Sequence, residues 1–302
     1  MRTRVKPSIT KAPASVIPRL NRLDYLLLTI LIGAFVWIYS RLGVGVQYHW
    51  DWSSAFSLIF TPRSDGGMPY FFEGIVSTLR LSVWGLVLAT IVGTLLGVAR
   101  FSNVSVVKIP ANAFVQLVRN IPPLVFVFIF YFFISNQLIP LLGLETLLRE
   151  HNGEVSSLQH FLFGPARLWE NLLSGVLCIG LLSSAYVAEV VRAGLASIPQ
   201  GQWEASQALG LSPFYKYRDV IAPQVLTAVT PALAGQAISL VKDSSIVALI
   251  SIQELTFVGT EIANSSGLIF EIWLLVGFSY FILCFGLSRL FARLENRANR
   301  HT

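Results

Sequence analysis

Charged side chains set inside long apolar segments are where this sequence could do chemistry. Arg119, Glu189, Lys242 and Asp243 lie in such segments, with Arg80 in another and Glu73 near its edge. A charge at membrane depth is costly unless it is paired or faces water, so each is a functional candidate. Arg119 is followed by Asn120 and then by Pro122-Pro123, two prolines that remove backbone donors and leave carbonyls free. Lys242-Asp243-Ser244-Ser245 also interrupts an apolar run, and Asp243 or Ser244 could cap a renewed helix there. Half-helix N-termini of that kind suit a carboxylate. The chemistry on offer is electrostatic holding of a small charged solute, because no Ser/His/Asp or Cys/His set presents itself for covalent work. Plainer roles stand beside these. Glu189 and Arg192 read equally as a helix-end pair facing water, Lys242 and Asp243 as mutual neutralisers, and Glu73 with Arg80 as residues near an outer boundary.

The elements that must position these residues are membrane helices. The 302 residues are 54% hydrophobic and 13% charged, with a mean hydropathy of +0.65, whereas a soluble chain carries about 25% charged residues. The fold class is therefore an all-α integral membrane protein. A window of about 20 residues finds spans at 24–40, 72–99, 111–136, 172–191, 225–251 and 269–291. On that reading Arg119 sits near mid-depth of the third span. An even number of spans puts both termini on one side, and that side gathers 15 of the 22 Lys and Arg residues against four on the other. The positive-inside rule makes the termini cytoplasmic. The basic charge is thus topological and gives no reason to expect nucleic acid. The first span lacks a compact signal n-region and an A-x-A-like cleavage site, and reads as a retained helix. Cys178 and Cys284 fall in apolar segments and read as packing residues. The acids and histidines of 137–168 are too scattered for a metal site, and no cofactor is expected.

Between the fourth and fifth spans, residues 189–224 read EVVRAGLASIPQGQWEASQALGLSPFYKYRDVIAPQ. Pro199 can open a helix, Gln202 to Leu209 are mostly good helix formers, and Gly210 stands where a left-handed C-terminal cap falls. Ser212-Pro213 then reads as an N-cap with proline at N1, starting a short helix from Phe214 to Asp219 that Pro223 stops. Two short helices meeting at a glycine elbow suggest a docking surface, although an ordinary amphipathic interfacial helix has a similar pattern. The chain has no G-x-x-x-x-G-K-[ST] and no Gly-Lys pair, so it cannot cradle nucleotide phosphates by that route.

Glu204-Ala205-Ser206, Gly210 and Pro223 resemble the EAA loop of ABC importer permeases, which has the form E-A-A, three residues, G, nine residues, I, one residue, L-P. The departures are Ser206 for the third Ala, Val220 for Ile and Ala222 for Leu. Flanking segments are similar to the polar amino-acid branch of those permeases: 78–82 (TLRLS), 119–123 (RNIPP), 188–195 (AEVVRAGL) and 242–249 (KDSSIVAL).

The resemblance implies a five-helix core with one extra N-terminal helix. The organisation it gives is a basic cytoplasmic tail (1–22), an added helix and outer loop (23–70), a permease domain (71–292) and a C-terminal tail (293–302). The permease domain contains a coupling loop (192–223) and an outer insertion (137–168). It also implies separate ATP-binding cassette subunits gripping the loop, a second permease copy or paralogue, an extracytoplasmic substrate-binding protein, surrounding lipid and a bacterial inner membrane. A free amino acid is a zwitterion. Arg119, Lys242 and the N–H groups near Ser244 would serve its carboxylate, and Asp243 or Glu189 its ammonium. The alternative reading is an ion-coupled secondary transporter of a small polar solute working through Glu189 or Asp243, against which the lack of inverted-repeat signs counts.

Overall fold

A computed structural model describes residues 21–45, 48–62, 66–141, 143 and 156–298, and no strand occurs among the described residues. The tail segments 1–20 and 299–302 lie outside them, as do residue 142 and residues 144–155 within the 137–168 segment. The chain divides into two units, one through Trp50 and one from Asp51 onward. Among the described residues, six helical stretches are long and apolar enough to cross a membrane.

The first unit holds α1, Arg22–Gly45, opened by Asn21 and Asp24, whose carboxylate accepts the Asn21 N–H at 2.6 Å. The few polar side chains of α1 fold back on its own backbone. The Thr29 hydroxyl donates to the Tyr25 carbonyl and Ser40 to Trp37. That satisfies them where no water is present.

The second unit runs α2 (Trp52–Phe60), α3 (Tyr70–Phe101), α4 (Ser105–Asn120), α5 (Pro123–Leu141), α6 (Ser157–Phe163), α7 (Trp169–Ser197), α8 (Gln200–Ala208), α9 (Pro213–Ile250), α10 (Leu255–Ser266) and α11 (Ile269–Ala298). The third crossing differs from the 111–136 span expected from sequence. Ile121 is extended (φ −90°, ψ 136°), because the ring of Pro122 crowds the α conformation of the residue before it. The crossing stretch is Pro123–Leu141, and Arg119 falls in the last turn of α4. That helix buries Ala111, Val115 and Val118 on one face.

α3 and α7 form the spine, and they run parallel. Ideal Cβ atoms placed on Gly85, Gly93 and Gly97 would meet Ile179 at 3.0 Å, Val187 at 2.6 Å and Val191 at 2.7 Å. The partner lies 94 positions further on in each case. The contacts under 3 Å at Gly93 and Gly97 leave no room for a methyl group, so hydrogen at these two positions sets the distance between the helices. Gly235 of α9, by contrast, has nothing within 4 Å of its Cβ position. A second core cluster joins Ala55 and Ile59 of α2 to Phe71, Leu255, Val258, Ile272 and Val276. α2 is started by Asp51, whose carboxylate accepts the Ser54 N–H at 2.9 Å and is held below the usual carboxylate range chiefly by its bonds from Ser54.

Gly93→Val forces α3 off α7 and is expected to cost about 1–3 kcal/mol or more. Gly235→Val should leave monomer stability within about 0.5 kcal/mol. Thermal unfolding of the detergent-solubilised chains compares the two directly.

Candidate functional site

The end of the spine carries a charged node. Glu189 of α7 offers one carboxylate to three guanidinium groups. Its Oε2 accepts from Arg100 NH1 at 2.8 Å and from Arg119 NH1 at 2.9 Å. Its Oε1 accepts from Arg192 Nε at 3.0 Å and NH2 at 2.5 Å. Arg100 is also fixed by Asn112, whose side-chain oxygen accepts from its Nε at 2.8 Å. The Arg119 guanidinium lies 5.8 Å from the Tyr186 ring centre. Helices α3, α4 and α7 are thereby tied at one point. Arg100 is 8% exposed while Arg119 and Arg192 are 40% and 39% exposed, so the node has one sealed side and one open side. Beside it, a cavity of about 350 Å³ between α7 and α9 is lined by Glu189, Ala193, Ser197, Ala228 and Ala232.

The elbow lies against the same end. α8 closes in a Schellman motif: Gly210 N–H donates to the Gln207 carbonyl at 2.9 Å, and Leu211 N–H to the Ser206 carbonyl at 3.2 Å. Gly210 adopts φ +69°, the left-handed conformation that glycine enters without a Cβ penalty. Glu204 and Ala205 are exposed, with Glu204 accepting from Gln200 Nε2 at 2.9 Å. Ser206 is buried, and its hydroxyl donates to the Trp203 carbonyl at 2.8 Å. A small residue is required there, which gives the Ser-for-Ala departure its tolerance. Trp203 anchors the elbow, stacking on Phe101 at 5.8 Å and meeting Tyr217 edge-on at 5.6 Å.

Pro223 does not stop a second short helix. α9 begins at Pro213, widens into a π turn over Lys216–Ile221 and continues through Pro223 to Ile250. A proline ring inside a helix clashes with the carbonyl four residues back, and the widened turn just before it makes room. Ser212 precedes Pro213 at the N-cap position but its hydroxyl makes no capping bond.

The five substrate candidates fall into two groups. Arg119 and Glu189 are in the node. Lys242, Asp243 and Ser244 lie where α9 tightens into a 3₁₀ turn, Ser244–Ile250. Leu240 and Ile179 both border Gly85, and Glu189 is ten residues further along α7, about 15 Å at ~1.5 Å per residue. The helix does not break at Asp243. The Ser244 N–H donates to Leu240 and Lys242 carbonyls, and the Ser244 and Ser245 hydroxyls donate to Val241 and Lys242 carbonyls. No half-helix N-terminus is presented there. Lys242 and Asp243 form no ion pair within 4 Å among the described residues.

Three positions that tie helices together escaped the sequence reading. Arg100 looked like the basic end of a span. Trp203 was one apolar residue in a polar loop. Glu254 is fully buried and caps α10, accepting from the Phe257 N–H at 2.9 Å and from the Tyr280 hydroxyl at 2.5 Å. The Thr78 hydroxyl in turn accepts the Leu255 N–H at 3.0 Å. Burial pushes the Glu254 carboxyl up, against the lowering effect of these donors.

The sequence signature of the family described as "Binding-protein-dependent transport system inner membrane component" matches residues 85–300. The chain belongs to that family. The permease is 30% identical over 251 residues to the glutamate/aspartate import permease protein GltK of Escherichia coli O6:H1, covering 83% of this chain and 99% of that one. It is 32% identical over 247 residues to the glutamine transport system permease protein GlnP of Escherichia coli K12, covering 82% and 97%. Among solved structures, an amino acid ABC transporter with histidines superposes with a TM-score of 0.63 at 25% identity, over 83% of this chain and all of that one. A methionine ABC transporter, MetNI, shares the fold with a TM-score of 0.54 at 17% identity, over 74% of this chain and 95% of that one.

The permease is thus a multi-pass inner-membrane subunit of an ABC amino-acid importer. ATP hydrolysis belongs to separate subunits, and a substrate-binding protein is a further partner. The five-helix core and the extra N-terminal helix agree with the matched region and with the six apolar stretches.

Glu189→Gln removes the charge that three guanidiniums share and should destabilise the permease by about 1–3 kcal/mol, with Arg119→Gln costing less because that side chain is half exposed. Melting temperatures of the purified variants, at low and high salt, measure both.

Proposed function

We propose that the elbow between α7 and α9 is the coupling element of this permease, held in a cleft of the ATP-binding subunits. The observation that carries the reading is the combination of a fixed base and an open tip. Trp203 is stacked on Phe101 at the end of α3, while Glu204, Leu209, Phe214 and Tyr215 are exposed, Leu209 at 78% and Phe214 at 65%. Large apolar side chains on an exposed loop end suit a protein partner rather than water. Arg218, over Phe214 at 5.5 Å and Tyr215 at 5.2 Å and paired with Asp219 at 2.6 Å, adds a polar edge to the same tip. Because α9 continues from the elbow without interruption, movement of the tip reaches the transport path. On this reading the termini and the elbow are cytoplasmic, in keeping with the distribution of Lys and Arg.

The cargo is an acidic or amide amino acid. This rests on the surplus of positive charge at the node, three guanidiniums to one carboxylate, and on the printed substrates of the two similar permeases. Arg119 and Glu189, beside the cavity between α7 and α9, are the contacts for cargo on the inward side. Lys242, Asp243 and Ser244 would meet it nearer the other end of the path. A second permease copy or paralogue completes the path, with lipid covering the remaining apolar faces. The open face of α9 around Ala232 and Gly235 offers small residues to that neighbour.

In proteoliposomes carrying the whole complex, uptake should follow internal ATP and ignore ionophores. Glu204→Lys should abolish ATP-driven uptake and detach the ATPase subunits. Gly210→Val, placed in open space but at positive φ, should cost about 1–2 kcal/mol locally and cut uptake severalfold without unfolding the bundle. Normal attachment and normal uptake in both variants would exclude the elbow as the coupling element.

A further inference from the structure

The end of the bundle opposite the elbow contains a second charged site that the outer insertion builds. α6 belongs to that insertion and is hung from the spine by its C-terminal carbonyls. Arg80 of α3 donates from Nε to the Phe161 carbonyl at 2.7 Å and from NH2 to the His160 carbonyl at 3.0 Å. One turn along α3, the Trp84 indole N–H donates to the Leu162 carbonyl at 3.1 Å, and Trp169 of α7 donates to Gly164 at 3.0 Å. The Trp84 ring stacks on Phe163 at 5.2 Å. The His160 carbonyl also accepts the Gly164 N–H at 2.9 Å, while carbonyls beyond it at the helix C-terminus have no intrahelical partners, and a guanidinium complements that negative end. Arg80 is therefore a positioning residue for α6, which answers why a charge sits in the apolar run of α3.

So placed, the insertion walls a cavity of about 410 Å³ whose lining includes Glu73, Ser77, Arg80, His160, Arg167 and Gln253. That volume is within the roughly 300–1,000 Å³ of small-molecule sites. A recess of about 30 Å³, the size of a water, continues from it toward Asn171 and Glu254. Arg167 is exposed and forms no hydrogen bond or ion pair among the described residues. Glu73 lies within electrostatic reach of Arg80. Two guanidiniums and one carboxylate thus share an amphipathic cavity, the charge pattern that complements a zwitterion with an excess of negative charge.

We propose that this cavity is a receiving site for a free α-amino acid, occupied before cargo enters the path between the helices. Arg167, with Arg80 behind it, takes the α-carboxylate; Glu73 and Gln253 face the ammonium. The positive surplus favours acidic and amide side chains over basic ones. The inference rests on the import reading, because only then does cargo arrive from this end.

The test uses the full permease assembled with its ATPase subunits in lipid nanodiscs, without binding protein, and radiolabelled L-glutamate, L-glutamine and L-lysine as probes. Glutamate and glutamine should bind, and lysine should bind about tenfold more weakly. Arg167→Gln should weaken glutamate binding about tenfold, and Arg167→Lys should recover much of it. In a Cys284→Ser background, thiol labelling of Ser77→Cys should be slowed by glutamate and not by lysine. Unchanged glutamate binding in Arg167→Gln, or unprotected Ser77→Cys with glutamate bound, overturns the site. Absence of glutamate binding, together with ATP-driven glutamate uptake in proteoliposomes carrying the whole complex and its binding protein, also overturns it and leaves the import reading intact. Absence of ATP-driven uptake of any amino acid in those proteoliposomes removes the import reading itself.

Discussion

One carboxylate holds the working end of this permease together. Glu189 accepts from guanidiniums on three helices, and each of those helices does something different. Arg100 belongs to the spine, Arg119 to the last turn before the Ile121–Pro122 break, and Arg192 to the turn leading into the elbow. Next to Arg100 in the chain is Phe101, on which the elbow's anchor Trp203 stacks. The ionic tie and the aromatic tie therefore share one helix end. Partial burial makes the arrangement consequential: in water such pairs contribute little, whereas a half-desolvated carboxylate with three cationic donors is costly to disturb.

The rest of the bundle supplies a rigid frame for that point. α3 and α7 approach each other as closely as glycine permits, in register along most of their length. At the other end Glu254 joins α3, α10 and α11 through Thr78 and Tyr280, and Arg80, Trp84 and Trp169 fasten α6 and the turn after it. Polar groups inside the bundle thus act mostly as fasteners between helices. Several charges that stand out in the sequence fasten helices for this reason, Arg80 among them.

Much of the architecture was legible because long apolar runs have few alternatives in lipid. The number of crossings was recovered by length alone, and Gly210 could be placed because a left-handed C-cap strongly prefers glycine. A hydropathy window is blind to backbone geometry, so it ran through Ile121–Pro122 and set Arg119 too deep. Pro223 was read as a stop because the compensating π turn over Lys216–Ile221 carries no residue signature. Lys242 to Ser245 suggested a broken helix, but serine hydroxyls bonded to their own backbone let the chain tighten instead. The node was half visible. Glu189, Arg192 and Arg119 were each noticed, but their convergence depends on the packing of three helices distant in sequence. Glu254 gave no signal at all, since a capping acid in a short link looks like any loop residue.

The uninterrupted course of α9 has a mechanical corollary. From Pro213 to Ile250 it is 38 residues, a rod of about 57 Å at ~1.5 Å per residue. Near its middle Val229 is pressed into the side of α7, where a Cβ on Gly194 would stand only 2.2 Å from it. On the proposed coupling, this contact would be the pivot: displacement of the Pro213 end would move the Ser244–Ile250 end the opposite way.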